Sequence, residues 1–250
     1  MQFRRLRGTI FKITPQGSFS VLYNFDVTHG MFPAAPLVQG SGGRFYGITI
    51  FGGTNNVGVV FSITSAGQFS VIYNFDPNGA ITAPTDLAWG VDGNIYGTAM
   101  DKTLLCPLQQ PCYCPTFCGS IFRLTPQGAI SGLHNISDLT QGGDPFGIIQ
   151  GEDGNFYGVA IFGTGPGVIF KITPSGNYSI LHDFDLRDGA PVPGGFGAFS
   201  QAPSVGSLVE PSPGNFYGLA TEGGTGHSDP CTLDVNPGGC GVLFGYGLSN

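Results

Sequence analysis

The chain is 250 residues long, enough for one sizeable domain, and its 41% hydrophobic content supplies a core that a disordered chain lacks. A net charge of −7 with only nine Lys and Arg excludes the clustered basic face that nucleic-acid binding needs. No run of about 18 apolar residues occurs, so the sequence offers no transmembrane helix.

In chain order, the opening residues MQFRRLRG are basic and lack the apolar stretch of a secretory signal. A first element, GTIFKITPQG (Gly8 to Gly17), is followed by FSVLYNFD (Phe19 to Asp26). A third element carries Leu37, and a fourth reads GRFYG from Gly43. The same four then return. The first recurs as GVVFSITSAG from Gly58, GSIFRLTPQG from Gly119 and GVIFKITPSG from Gly167, with a degenerate GVLFGYG from Gly241. The second recurs as FSVIYNFD, ISGLHNIS and YSILHDFD; the third around Leu87, Ile148 and Leu208; the fourth as GNIYG at Gly93 and GNFYG at Gly154 and Gly214. Repeats therefore start near residues 8, 58, 119 and 167, with a partial fifth from 241.

Each element is a short run of β-branched and aromatic residues bounded by Gly, Pro, Asp or Asn, which reads as a strand. Four antiparallel strands per period of about 50 residues predict an all-β fold. The expected architecture is a single β-propeller domain over 1–250, with about four to five four-stranded blades. Its ring would close by pairing the terminal strands, the surplus GVLFGYG displacing Gly8–Thr14, covering an edge or adding to another molecule. A segment of a longer propeller is the alternative. The FYG spelling recurs in every period, so it reads as scaffold, with the glycine making room where strands crowd the axis. Trp89 replaces Gln39 and Gln150 of other repeats, as core or as a stacking platform. His134 and His182 replace Tyr23 and Tyr73 and read as packing residues with a satisfied polar end.

With strands named A to D in blade order (A near Leu37, B near Tyr46, C near Phe61, D near Tyr73), the A–B and C–D turns are short. Every long segment falls on the opposite end, including Met100–Cys118, Leu186–Pro203 and Glu222–Cys240. Variable loops on a rigid scaffold are where binding concentrates. The candidate ligand-binding face therefore comprises Asp101, Lys102, Tyr113, Arg187, Phe196, Phe199, Glu222 and His227. Its carboxylates and imidazole (Asp101, Glu222, Asp229, Asp234 and His227) are the catalytic candidates, because two carboxylates or a His base suit polysaccharide cleavage. His29 lies on a loop of the same face.

Six cysteines sit in two segments with even counts, as disulfides of an exported protein would. Cys231 would pair with Cys240, and Cys118 with Cys106, Cys112 or Cys114. A zinc reading of Cys106, Cys112, Cys114 and Cys118 competes, although Cys-x-Cys departs from the usual knuckle. Asp26, Asp76 and Asp185 recur at the ends of D strands and read as turn formers. DFDLRDG adds a possible calcium set of Asp183, Asp185 and Asp188; no other cofactor is indicated.

The pattern G-x-[IV]-F-[KR]-[IL]-T-P-x-G, the [DG]-G-[NR]-[FI]-Y-G turn and the Gly52-Gly53 to Gly58 spacing resemble the GloVer tandem repeat, from Gly8 to about Gly245. That resemblance implies a bacterial exported or surface protein, a family often carrying a C-terminal anchoring signal. It supplies no catalytic motif. The expected function is a non-catalytic, extracellular or cell-surface propeller that binds a glycan or protein ligand through the long-loop face. The alternatives are a polysaccharide hydrolase or lyase on that face, and a structural subunit that self-associates through its terminal strands.

Overall fold

A computed structural model of the protein describes residues 8–100, 118–160, 167–185, 208–220 and 242–248. The described residues form antiparallel β-sheets joined by turns, with two three-residue 3₁₀ turns at Ser41–Gly43 and Leu139–Gln141. An opening pair consists of β1 (Thr9–Ile13) and β2 (Phe19–Asn24). Sheet I holds β3 (Met31–Pro33), β4 (Val38–Gln39), β5 (Arg44–Phe51), β6 (Val59–Thr64) and β7 (Phe69–Asn74). Sheet II runs β8 (Pro84–Trp89), β9 (Ile95–Ala99), β10 (Ser120–Leu124), β11 (Ile130–Asn135). Sheet III runs β12 (Pro145–Gln150), β13 (Phe156–Ala160), β14 (Val168–Ile172), β15 (Tyr178–Asp183). Sheet IV comprises β16 (Val209–Ser212), β17 (Asn215–Ala220) and β18 (Val242–Gly247). Each full sheet thus follows the A–B–C–D order read from the repeats, with the A strand of sheet I split into β3 and β4.

The turns explain the recurring T-x-x-G. In each C–D turn the threonine carbonyl accepts the glycine N–H, and the threonine hydroxyl accepts a backbone N–H four residues on. The glycines, Gly17, Gly67, Gly128 and Gly176, all have positive φ, which a side chain disfavours. In the A–B turns, the Asp92 carboxylate accepts from Asn94 and the Tyr96 hydroxyl, and Asp153 does the same with Asn155 and Tyr157.

Packing between sheets follows one rule. On the C strand, the second residue of one unit lies among the odd residues of the next. Ile10 clusters with Val59, Phe61 and Ile63; Val60 with Phe122 and Leu124; Ile121 with Val168, Phe170 and Ile172. Ile169 meets Phe244 and Tyr246 in the same way. The B-strand tyrosines cross the same seams. Tyr96 stacks on Phe156 with ring centroids 3.9 Å apart, and Tyr157 lies 4.2 Å from Phe216. Trp89 stacks on Tyr46 at 5.1 Å and packs against the core between sheets I and II, so it is a seam residue.

The glycine of the FYG motif has a different job from the one its sequence position suggests. Gly47, Gly97 and Gly218 stand opposite Phe61, Phe122 and Phe244 on the adjoining C strand, and Gly158 opposite Phe170. A methyl group on any of the four would fall 2.3–2.5 Å from the Cζ of that ring. The missing side chain makes room for a phenylalanine of its own sheet and, at Gly158, also for the backbone of the neighbouring strand at Gly147.

Two further expectations change. The His134 ring stacks on Tyr178 at 4.3 Å as a packing residue, but its buried Nε2 finds no hydrogen-bond partner among the described residues, and burial pulls its pKa down. The surplus strand β18 fills the C place beside β17 over six residue pairs, while β1 pairs with β2. β18 thus takes the place that Gly8–Thr14 would have filled, one of the three positions the sequence left open to it, and β17 and β1 are not hydrogen-bonded neighbours among the described strands.

Candidate functional site

Because successive strands run antiparallel, the A–B and C–D turns share one end of the sheets, and the B–C and D–A connections share the other. The described A–B and C–D turns are all short, as the sequence implies. The long-connection end is therefore the candidate functional face. Most of the residues expected there fall outside the described residues: Asp101, Lys102, Tyr113, Arg187, Asp188, Phe196, Phe199, Glu222, His227, Asp229 and Asp234. So do Cys106, Cys112, Cys114, Cys231 and Cys240.

Three predicted residues are described. Cys118 is fully buried; its N–H donates to the Ile136 carbonyl and its own carbonyl accepts the Asp144 N–H, so it locks the entry of β10 to the connection into β12. Asp183 closes β15, and Asp183 and Asp185 flank Phe184, which is buried in the seam with sheet IV. Among the described residues, no group of three or more His, Cys, Asp or Glu is close enough to hold a metal ion.

The structure instead brings together a candidate group at the long-connection end of sheet I. Asp26 follows β2 and forms the expected turn, its carboxylate accepting the His29 N–H at 2.7 Å. Asp76 repeats this with Asn78 at 2.9 Å. In the first copy the ring is added: His29 Nδ1 lies 2.9 Å from both Asp26 oxygens. The hydrogen bond from His29 holds the Asp26 pKa below its ordinary value. This turn packs on the B–C connection, where the Gly53 N–H donates to the Val27 carbonyl and a methyl on Gly52 would strike Gly30 and Val27. Next to it, Phe32 and Phe51 meet edge to face at 5.8 Å, both with large exposed surfaces.

Phe32 has φ +59°, a left-handed conformation that bulky side chains avoid, at a cost of about 1–3 kcal/mol. The same conformation occurs at Ala83 and Asp144, each directly before a proline that begins an A strand. The backbone feature is thus part of the repeat, whereas an exposed aromatic on it is peculiar to sheet I. A sequence signal existed: Phe51 stands at the repeat position of Asp101 and Glu222, the two carboxylates already assigned to the face.

A second unforeseen group lies where the A strands of sheets II and III meet. Asp86, 5% exposed, accepts the N–H groups of Leu87 and, across the seam, Ile148. Beside it, the buried Thr85 hydroxyl contacts both Thr98 Oγ1 and the Pro145 carbonyl. The repeat places Pro36, Gly147 and Ser207 at the equivalent positions, so Asp86 is the one charged residue at this point of the repeat. That departure was its signal.

Comparison with known proteins now bears on the assignment. Residues 4–105 match the Gloeobacter/Verrucomicrobia repeat. This is the repeat family that the motifs resemble. No curated protein matches the sequence. Among solved structures, the chain is similar to a gluconolactonase from Xanthomonas campestris, at 16% identity and TM-score 0.57, over 87% of this chain and 64% of that one. It is also similar to a catalytically inactive virginiamycin B lyase from Staphylococcus aureus with quinupristin, at 21% identity and TM-score 0.50, over 70% of this chain and 48% of that one. The chain thus spans about half to two thirds of the length of these structures. At such identities they show the fold alone, which is β-propeller-like. Among the described residues, no helix is long and apolar enough to cross a membrane.

Proposed function

We propose that the protein is an exported β-propeller that binds a glycan or a protein ligand through the end bearing its B–C and D–A connections. The observation that carries this reading is the exposed Phe32–Phe51 pair on that end, beside the His29 ring that Asp26 orients. Exposed aromatic faces stack on sugar rings and on apolar side chains, and flanking polar groups fix orientation. Lys102, Tyr113, Arg187, Phe196, Phe199 and His227 extend the same surface in this proposal, and Asp101 and Glu222 take the repeat position of Phe51. In this proposal Cys118 pairs with Cys106, Cys112 or Cys114, and Cys231 with Cys240, which would stiffen these loops at an extracellular address. Calcium on Asp183, Asp185 and Asp188 remains part of the proposal, as a clamp on one loop.

The test is calorimetric titration with soluble polysaccharides and with surface proteins of the source bacterium. Phe32→Ala and Phe51→Ala should each weaken binding by about tenfold or more. Unchanged affinity in both variants, with a ligand in hand, would remove the site. A second reading is favoured by the Asp26–His29 pair, because a carboxylate that orients an imidazole is the arrangement of a general base. In that reading the face cleaves a polysaccharide, and His29→Ala abolishes release of new chain ends while leaving binding in place.

A further inference from the structure

Among the described residues, the seam rule above leaves two faces without partners. Ile10, Val60, Ile121 and Ile169, the second residues of the C strands, are all at least 95% buried against the unit that follows. Leu243 holds the same place in sheet IV and is 70% exposed. With it, Val209, Tyr217 and Leu219 are exposed, so sheet IV presents an apolar face from three strands. At the other end, Phe61, Phe122 and Phe170 are buried, yet their counterpart Phe11 is 57% exposed, together with Ile13, Phe19 and Val21. Among the described residues, the aromatic ring of Phe11 stacks within its own pair, on Phe19.

These faces are of opposite kinds. Sheet IV carries the donor side of a seam, whose C-strand residue inserts. The opening pair carries the acceptor side, whose odd residues receive it. Inside the molecule the two kinds meet in four successive seams. We propose that the two exposed faces form a fifth seam between copies of this chain, with Leu243 of one molecule seated on Phe11 and Ile13 of the next. One molecule carries both halves, so no other partner chemistry is required, and the contact continues an interface the chain already makes. Two different faces meet in it, so it is head to tail: it closes into a ring, the smallest being a two-membered ring that makes the contact twice, or it propagates. A face with four large apolar residues on each side is also a surface that water disfavours leaving open.

Sedimentation velocity over a concentration series tests this. The parent chain should associate by mass action beyond the monomer. Leu243→Asp and Phe11→Asp should each remain monomeric alone, with association weakened by more than about tenfold. An equimolar mixture of the two variants should restore one contact and yield a dimer and nothing larger, since each keeps one intact face. This complementation also shows that both variants are folded. A parent that stays monomeric at every concentration would overturn the proposal. So would variants whose mass distribution matches the parent's. A monomeric parent that loses thermal stability on either substitution would assign the two faces to closure within one molecule. A monomeric parent that forms a complex only with a separate polypeptide bearing further repeats would assign them to that partner.

Discussion

The pairing of a B-strand glycine with a C-strand phenylalanine makes a sharp prediction at Gly97. A methyl group there would lie 2.3 Å from Cζ of Phe122 and 2.8 Å from both Cε atoms. Ordinary carbon contacts begin near 3.5 Å, so the ring must retreat by roughly 1.2 Å. It cannot do so cheaply, because Phe122 is fully buried in the cluster with Val60 and Phe75. Overpacking of this kind costs about 1–3 kcal/mol, and the lower chain entropy of alanine in the unfolded state returns about 0.4–1 kcal/mol of it. Gly97→Ala should therefore destabilise by about 1–2 kcal/mol. Phe122→Leu alone should cost a similar amount by shrinking a buried side chain. The double variant should cost clearly less than the sum, with a favourable coupling of about 1 kcal/mol, since the three atoms nearest the new methyl all belong to the ring. Gly158→Ala is the control. There the methyl would also meet the Gly147 carbonyl oxygen at 2.0 Å, which is backbone, so Phe170→Leu should not rescue it. Guanidinium unfolding followed by the fluorescence of Trp89, the sole tryptophan, reads sheet II directly. A Gly97→Ala chain within about 0.5 kcal/mol of the parent, or strictly additive double-variant energies, would refute the reasoning.

Three further outcomes follow from the geometry. Burial alone would raise the Asp153 pKa, but hydrogen bonds from Tyr157, Asn155 and Lys171 outweigh it and bring it from 3.8 to about 2. Its contribution is thus present above pH 4 and lost as the pH falls through about 2, so Asp153→Asn should flatten acid unfolding curves in that window, more visibly at low salt. Asp86→Ala strands the N–H groups of Leu87 and Ile148 in a buried seam and should lower stability by about 1–3 kcal/mol in thermal or denaturant unfolding. Phe32→Gly relieves a left-handed phenylalanine, so unfolding experiments should show stability held or raised by about 1 kcal/mol, while calorimetry shows ligand affinity lost. A variant that loses stability and keeps affinity would place the aromatic in the scaffold.

The strand repeat was legible because each element carries its own punctuation. Thr14 and Gly17, Thr64 and Gly67, and their later copies make the same local hydrogen bonds wherever they occur, so the turn is written within five residues. The recurring aspartates were legible for the same reason, as Asp26 and Asp76 bond to backbone two or three residues away. The site was harder to see. Phe32 and Phe51 come from the A and B ends of one sheet, with 18 residues between them, and only the strand pairing of Met31 with Phe51 brings them together. Asp86 departs from the repeat, and the sequence does not explain it, because its partner across the seam, the Ile148 N–H, lies on the next sheet.

The sequence by itself determined the period, the order of strands within it and the end on which variable loops gather, since all three depend on local turn chemistry and alternation. Tertiary structure alone decided what the repeated glycine is for, because its neighbour is a phenylalanine on another strand. It also decided the fate of the surplus strand: β1 and β18 carry the same kind of sequence, and either suits the edge of β17. In the structure β18 takes that edge over six residue pairs and β1 pairs with β2, with Phe11 and Leu243 facing outward.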